Sequence, residues 1–193
     1  MMNKASSETV VQLDNFGKWV RYFLRTHKDM KFIIYGDPTT GKTTVCRWMK
    51  KHNIIKPSEI IDSDDLIIER WGFDRIRTFF STATDAEMNE YHRLLLSYRM
   101  IFTNHEDYIL GTEKYVAWAF TRTKDALRSE HQKRNKKHGK PWRSEDYPWL
   151  SNWREKRNAI ILDEGEYMSA ILEWLASTRY PHSEYYRLLR WQR

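Results

Sequence analysis

The sequence predicts an α/β fold: a five-stranded parallel sheet flanked by helices, in one domain spanning residues 1–193. Three observations carry this. Short apolar, β-branched runs (about 31–35, 59–62, 99–104, 115–120 and 159–163) alternate with stretches of helical period. The first run leads into Gly36-Asp37-Pro38-Thr39-Thr40-Gly41-Lys42-Thr43, a G-x-x-x-x-G-K-T phosphate-binding P-loop, and a helical stretch follows it. The second run ends in three carboxylates, Asp62, Asp64 and Asp65, at the carboxyl edge where parallel sheets bind ligands.

In chain order, residues 1–13 read as a polar start without the apolar segment of a signal peptide. Asn15 is the expected cap of a helix to about Thr26, with Phe16, Trp19, Val20, Phe23 and Leu24 on one stripe. After the P-loop, a helix to about Asn53 places Val45, Cys46 and Met49 on one face. Ser63, Asp64 or Asp65 would cap a helix starting at Leu66. Trp71, Phe73, Arg75, Arg77, Phe79 and Phe80 fall where a substrate-side lobe would lie; such rings stack bases or, more often, fill core. Thr84 caps a helix over 85–98, with Met88, Tyr91, Leu94 and Leu95 inward.

Residues 99–104 are preferred as third strand over 108–111, because a parallel crossover from Leu110 to Tyr115 would be too short. Thr123 is the expected cap of a helix bearing Arg128 and Arg134. Pro141 and Pro148 interrupt a polar, basic and aromatic stretch that reads as a lid or binding arm. A helix over 164–177 after the last strand turns Met168, Ile171, Leu172 and Leu175 inward, with Asp163 or Glu164 as its cap, and residues 179–193 hold four arginines.

The residue types at the loop dictate a chemistry. Its glycines allow the tight turn that aims backbone N–H groups at an anion, and the helix N-terminus adds positive charge. Lys42 is expected on the β- and γ-phosphates of ATP and the Thr43 hydroxyl on Mg²⁺; Gly36, Asp37, Pro38, Thr39, Thr40, Gly41 and Thr44 complete the nucleotide site. Phosphoryl transfer also needs a carboxylate beside the metal and one to take the proton of the attacking hydroxyl. Asp62 and Asp64 fall on one side of the extended segment, with Asp64 assigned as base and Asp62 as metal-side partner, the two roles being exchangeable. Arg122, at a strand end, and Arg128 are the arginines expected to neutralise the transferring group.

Composition narrows the partners. The chain has 193 residues, 40% hydrophobic and 31% charged, with no apolar run of membrane-spanning length. Its single cysteine, Cys46, cannot form an internal disulfide, and a cytoplasmic location is expected. The net charge is +7, and residues 121–157 alone hold twelve Lys/Arg against five Asp/Glu, so the whole excess lies there, interleaved with aromatic residues. Charges that follow a backbone and rings that stack bases suit DNA, single-stranded or with a flipped base.

The P-loop, the Asp62-Ser63-Asp64 element about twenty residues later and the arginine-bearing helix together resemble the small P-loop kinases that act on nucleotides, polynucleotides and shikimate-type acceptors. Ile61-Asp62-Ser63-Asp64-Asp65, Ile101-Phe102-Thr103-Asn104 and Leu162-Asp163-Glu164-Gly165-Glu166-Tyr167-Met168 look most like the bacteriophage kinases of thymine hypermodification, which phosphorylate 5-hydroxymethyluracil in DNA. That resemblance implies ATP, Mg²⁺ and a hydroxymethyl acceptor on a polymer. Other readings stand beside it: a kinase of free nucleotides, a nucleic-acid-dependent ATPase in which Ile160-Ile161-Leu162-Asp163-Glu164 supplies the metal-side Asp and a water-activating Glu, or a nucleotide-gated DNA-binding module.

Overall fold

The computed structural model describes residues 12–104, 115–139 and 159–179. The expectations for residues 1–11, the alternative strand at 108–111, the proline-interrupted part of the basic arm and the arginine-rich end lie outside these residues.

The described chain runs α1 (Asp14–Thr26), β1 (Lys31–Gly36), α2 (Lys42–Lys51), β2 (Ile60–Asp62), α3 (Ser63–Trp71), a 3₁₀ turn (Phe73–Arg77), α4 (Phe79–Thr82), α5 (Asp85–Leu95), β3 (Met100–Thr103), β4 (Tyr115–Arg122), α6 (Lys124–Lys137), β5 (Ile160–Leu162) and α7 (Met168–Arg179). All strand pairs are parallel, in the order β2-β3-β1-β4-β5. The five-stranded parallel sheet expected from the sequence is therefore present. Its strands are largely apolar because both faces are covered over most of the sheet, and only the β5 edge leaves Ile161 exposed among the described apolar strand residues.

Side-chain alternation divides the core in two. Phe32, Ile34, Ile60, Met100, Phe102, Trp118 and Phe120 face one side, where they pack with α1, α2 and α7. Ile33, Tyr35, Ile61, Ile101 and Ala119 face the other, against α3, α4 and α5. The α1 stripe is buried as expected, with Phe16, Trp19, Phe23, Phe32 and Trp118 in mutual ring contact. Trp71, Phe79 and Phe80 pack around Tyr91 and are core; Phe73 is 71% exposed. Among the described residues no helix is long and apolar enough to cross a membrane.

Two helix starts behave as read. Thr84 forms a capping box with Glu87 at α5, and Thr123 accepts from the Ala126 N–H at α6. Three differ. Asn15 is not the cap of α1; its N–H, its side-chain amide and the Phe16 N–H all donate to the Glu173 carboxylate of α7, at 2.7–3.1 Å. Helix α3 begins at Ser63 rather than Leu66, with Asp62 as its cap. Helix α7 begins at Met168 because residues 163–167 form a turn, in which Gly165 has φ 82° and Glu166 accepts from the Asp163 N–H. Neither Asp163 nor Glu164 caps it.

Candidate active site

The P-loop joins β1 to α2, next to the carboxyl ends of β3 and β4. Gly36 is a steric requirement: a Cβ there would stand 2.6 Å from Thr40 Oγ1 and 3.1 Å from Lys42 Cγ. Gly41, the cap of α2, has φ 97°. Thr39 has φ 70°, a left-handed conformation that a β-branched residue resists. Asp37 ties the loop to β4: its N–H donates to Phe120 O at 3.2 Å, and its carboxylate accepts from Thr121 Oγ1 at 2.5 Å. Pro38 follows it in the turn, half-buried. Thr40 directs its hydroxyl back to Asp37 O at 2.8 Å, whereas the buried Thr39 hydroxyl has no partner among the described residues.

Lys42, 8% exposed, donates its ammonium to Gly36 O at 2.6 Å and to Asp37 O at 3.2 Å. It thus lies folded against the loop it closes. A phosphate oxygen is a stronger, charged acceptor than these neutral carbonyls. Thr43 Oγ1 donates to Asp62 Oδ2 at 2.8 Å, and Asp62 Oδ1 accepts from the Asp64 N–H at 3.1 Å. Thr44 is exposed on the first turn of α2.

The carboxylates separate by environment. Asp62 is fully buried, and desolvation raises its pKa against the opposing pull of Lys42, the Thr43 hydroxyl and the Asp64 N–H. Asp64 is half-buried; desolvation first and the Asp62 charge second raise its pKa, while Lys42 and Arg134 lower it. Asp65 pairs with Arg47 at 3.5 Å. The Ser63 hydroxyl is buried without a partner among the described residues, as is Asn104 Oδ1, just beyond β3, where the pairing of Tyr35 with Thr103 sets it beside the loop. Below the site, burial pushes the Cys46 thiol up to about 12, which makes it an inert core residue.

Among the described residues no group of three His, Cys, Asp or Glu could hold a metal by itself. A Mg²⁺ site of the nucleotide-binding kind does not need one, since the ion keeps several waters and takes one or two protein oxygens plus phosphates. Thr43 Oγ1 and the buried Asp62 carboxylate, already 2.8 Å apart, fit that donor set.

The two predicted arginines lie apart from this cluster. Arg122 is fully buried, its guanidinium on the carbonyls of Thr39, Asp163 and Glu166. Its strand position carried the signal, because Arg122 shares the inward side of β4 with Trp118 and Phe120. Arg128 is exposed on α6. The α6 arginine whose charge acts on Asp64 is Arg134, set off from Arg128 by about 120° around the helix axis.

No protein-family model matches this chain, and no curated protein matches it. Several solved structures are similar in outline. One of them is a gluconokinase from Sinorhizobium meliloti 1021, aligned over 82% of this chain and 97% of its own, at a TM-score of 0.47 and 13% identity. A likeness that shallow carries no argument, and the fold class rests on the parallel sheet and its order.

Proposed function

We propose that this protein is a Mg²⁺-dependent kinase that transfers the γ-phosphoryl group of ATP to a hydroxyl. The observation that carries the reading is the linked series Thr43–Asp62–Asp64: the P-loop hydroxyl donates to the buried Asp62 carboxylate at 2.8 Å, the Asp64 backbone N–H donates to the same carboxylate at 3.1 Å, and Asp64 brings a second carboxylate, of raised pKa, beside it. Bound Mg²⁺ supplies charge neutralisation on the phosphates. The loop N–H groups and Lys42 hold those phosphates, and Thr43 and Asp62 hold the ion. Asp64 accepts the acceptor's proton as the new P–O bond forms and the bond to the ADP oxygen breaks. A carboxylate whose burial raises its proton affinity is suited to that role.

The acceptor we propose is the hydroxymethyl group of 5-hydroxymethyluracil in DNA. Helix α6 supports a polyanionic partner: Lys124, Arg128, Lys133, Arg134, Lys136 and Lys137 are all exposed, whereas Glu130 is buried. The exposed Phe73 ring, beyond the helix that Asp62 caps, is available for base stacking. The ATPase reading is less well supported, because Thr43 is bonded to Asp62 and Asp163 is exposed.

The test is transfer from γ-labelled ATP with Mg²⁺ to three acceptors side by side: DNA containing 5-hydroxymethyluracil, plain DNA with a 5′-hydroxyl, and free nucleoside monophosphates. Label internal to the modified polymer is the expected result. Label on free nucleotide would replace the DNA acceptor while keeping the kinase. Release of phosphate with no acceptor present would favour the ATPase.

A further inference from the structure

Arg122 is a charged side chain with 0% exposure, whereas the arginines from Arg21 to Arg99 and Arg128 and Arg134 of α6 reach the surface at least in part. Its guanidinium donates to Asp163 O at 2.5 Å, to Glu166 O and, at 3.3 Å, to Thr39 O, with its carbon 5.6 Å from the Tyr167 ring centroid. The buried Glu130 carboxylate fastens the same turn from α6, accepting from the Gly165 N–H at 3.2 Å and the Tyr167 hydroxyl at 3.4 Å. The turn in turn grips the P-loop, since the Met168 N–H donates to Thr40 O at 3.0 Å.

Two successive loop carbonyls, Thr39 and Thr40, are therefore drawn toward the turn. A trans peptide points its C=O and N–H in opposite directions. Tying down Thr40 O thus aims the Gly41 N–H away from the turn, and tying down Thr39 O fixes the peptide that follows the strained φ of Thr39. We propose that Arg122 is a positioning residue for the nucleotide: through the 163–167 turn it latches the P-loop from behind and keeps Thr39 in the left-handed conformation. This rests on the nucleotide-binding reading above and replaces the direct role on the transferring group expected of Arg122. The planar fork of arginine spreads its donors over carbonyls of both the P-loop and the turn, whereas the compact ammonium of lysine presents its donors from a single point.

The test is direct binding of a non-hydrolysable ATP analogue with Mg²⁺, with no acceptor present, to wild type, Arg122→Lys, Thr39→Gly and the double variant. Glycine adopts a positive φ without strain, so a latch predicts coupling. Arg122→Lys should weaken analogue binding about tenfold in the wild-type background and less than about threefold in Thr39→Gly. If Arg122→Lys does not fold, Glu130→Gln in the same two backgrounds takes its place, with a smaller loss again relieved by Thr39→Gly. Unchanged analogue affinity with a lowered transfer rate would overturn the latch in favour of direct catalysis. An equal loss in both backgrounds would also overturn it, leaving a generic packing role. Wild type that fails to bind the analogue would overturn the nucleotide reading and the latch together; wild type that binds while the variants bind equally well would overturn the latch alone.

Discussion

Strand β2 runs Ile60-Ile61-Asp62 into Ser63-Asp64-Asp65, and β5 runs Ile160-Ile161-Leu162 into Asp163-Glu164. Both are edge strands, each two places from β1, and both carry acids past an apolar run. Their environments are opposite. At β2 the strand is wholly buried, α2 packs on it, and its last residue accepts a hydrogen bond from the P-loop threonine. At β5 Ile161 is 49% exposed, Asp163 contributes a carbonyl rather than its carboxylate, and Glu164 pairs with Lys133 at 2.6 Å on the surface. Neither the motif nor the distance from β1 separates the two ends. The separation comes from the path of α2, which starts at the loop and crosses toward β2.

Four predictions would break or sharpen this contrast. Lys42→Ala sets the scale: phosphate transfer from γ-labelled ATP should fall by about 10³-fold or more, since it removes the charge facing the migrating group. Asp62→Asn and Asp64→Asn should each lower the transfer rate by about 10²–10³-fold, whereas Asp163→Asn and Glu164→Gln should stay within about twofold of wild type. Comparable losses at the two strand ends would break the contrast. Asp64→Asn should keep ATP-analogue affinity within about twofold, and near wild-type transfer by that variant would remove Asp64 as base. Because Asp64 is raised and must be ionised to act, the wild-type rate should drop on acidification at a pH above the ordinary aspartate value of about 3.9.

The third prediction concerns stability. The Asp62 pKa is raised in the folded protein, so folding favours its protonated form. That contribution is fully present below the ordinary aspartate value and is lost as pH rises through the raised native value. At pH 7 the ionised carboxylate therefore costs stability, and Asp62→Asn should raise the melting temperature by about 2–4 °C, an advantage that shrinks in acid. A less stable Asn variant at pH 7 would count against a desolvated carboxylate at β2. The smallest expected effect is on Cys46. A thiol raised to about 12 beneath this edge should resist alkylation at pH 8 until the protein unfolds, and rapid labelling of native protein would show the β2 side to be open.

Much of the molecule was legible because its signals are local. The five strands are apolar runs, the P-loop is a contiguous motif, and the Thr84 and Thr123 caps act over three residues. Asp62 was legible because the carboxyl-edge rule needed only the second strand; the alternation expected to set Asp64 beside it does not apply, since Asp64 lies in the first turn of α3 and meets Asp62 through the helix cap. What escaped depends on partners far along the chain. Arg122 was read from its place at a strand end, yet its partners Thr39 and Glu166 lie 83 and 44 residues away. The start of α7 moved because a turn bonded to Arg122 and to Glu130 occupies the preceding residues. Arg134 rather than Arg128 acts on Asp64, although both are exposed on α6, because the distance from the helix to the carboxylate is set by tertiary packing that helical period alone does not give.

The carboxylate that closes the first turn of α1 has a consequence for the order of events in making the protein. Glu173 lies 158 residues beyond Asn15. At typical elongation rates of 5–20 residues per second, α1 leaves the ribosome roughly 8–30 s before its cap exists. During that interval its Phe16, Trp19, Val20 and Phe23 stripe lacks α7 as a neighbour, and its first N–H groups bond to water. The first of the described helices to be synthesised is thereby among the last to be finished, and it is locked when α7 arrives.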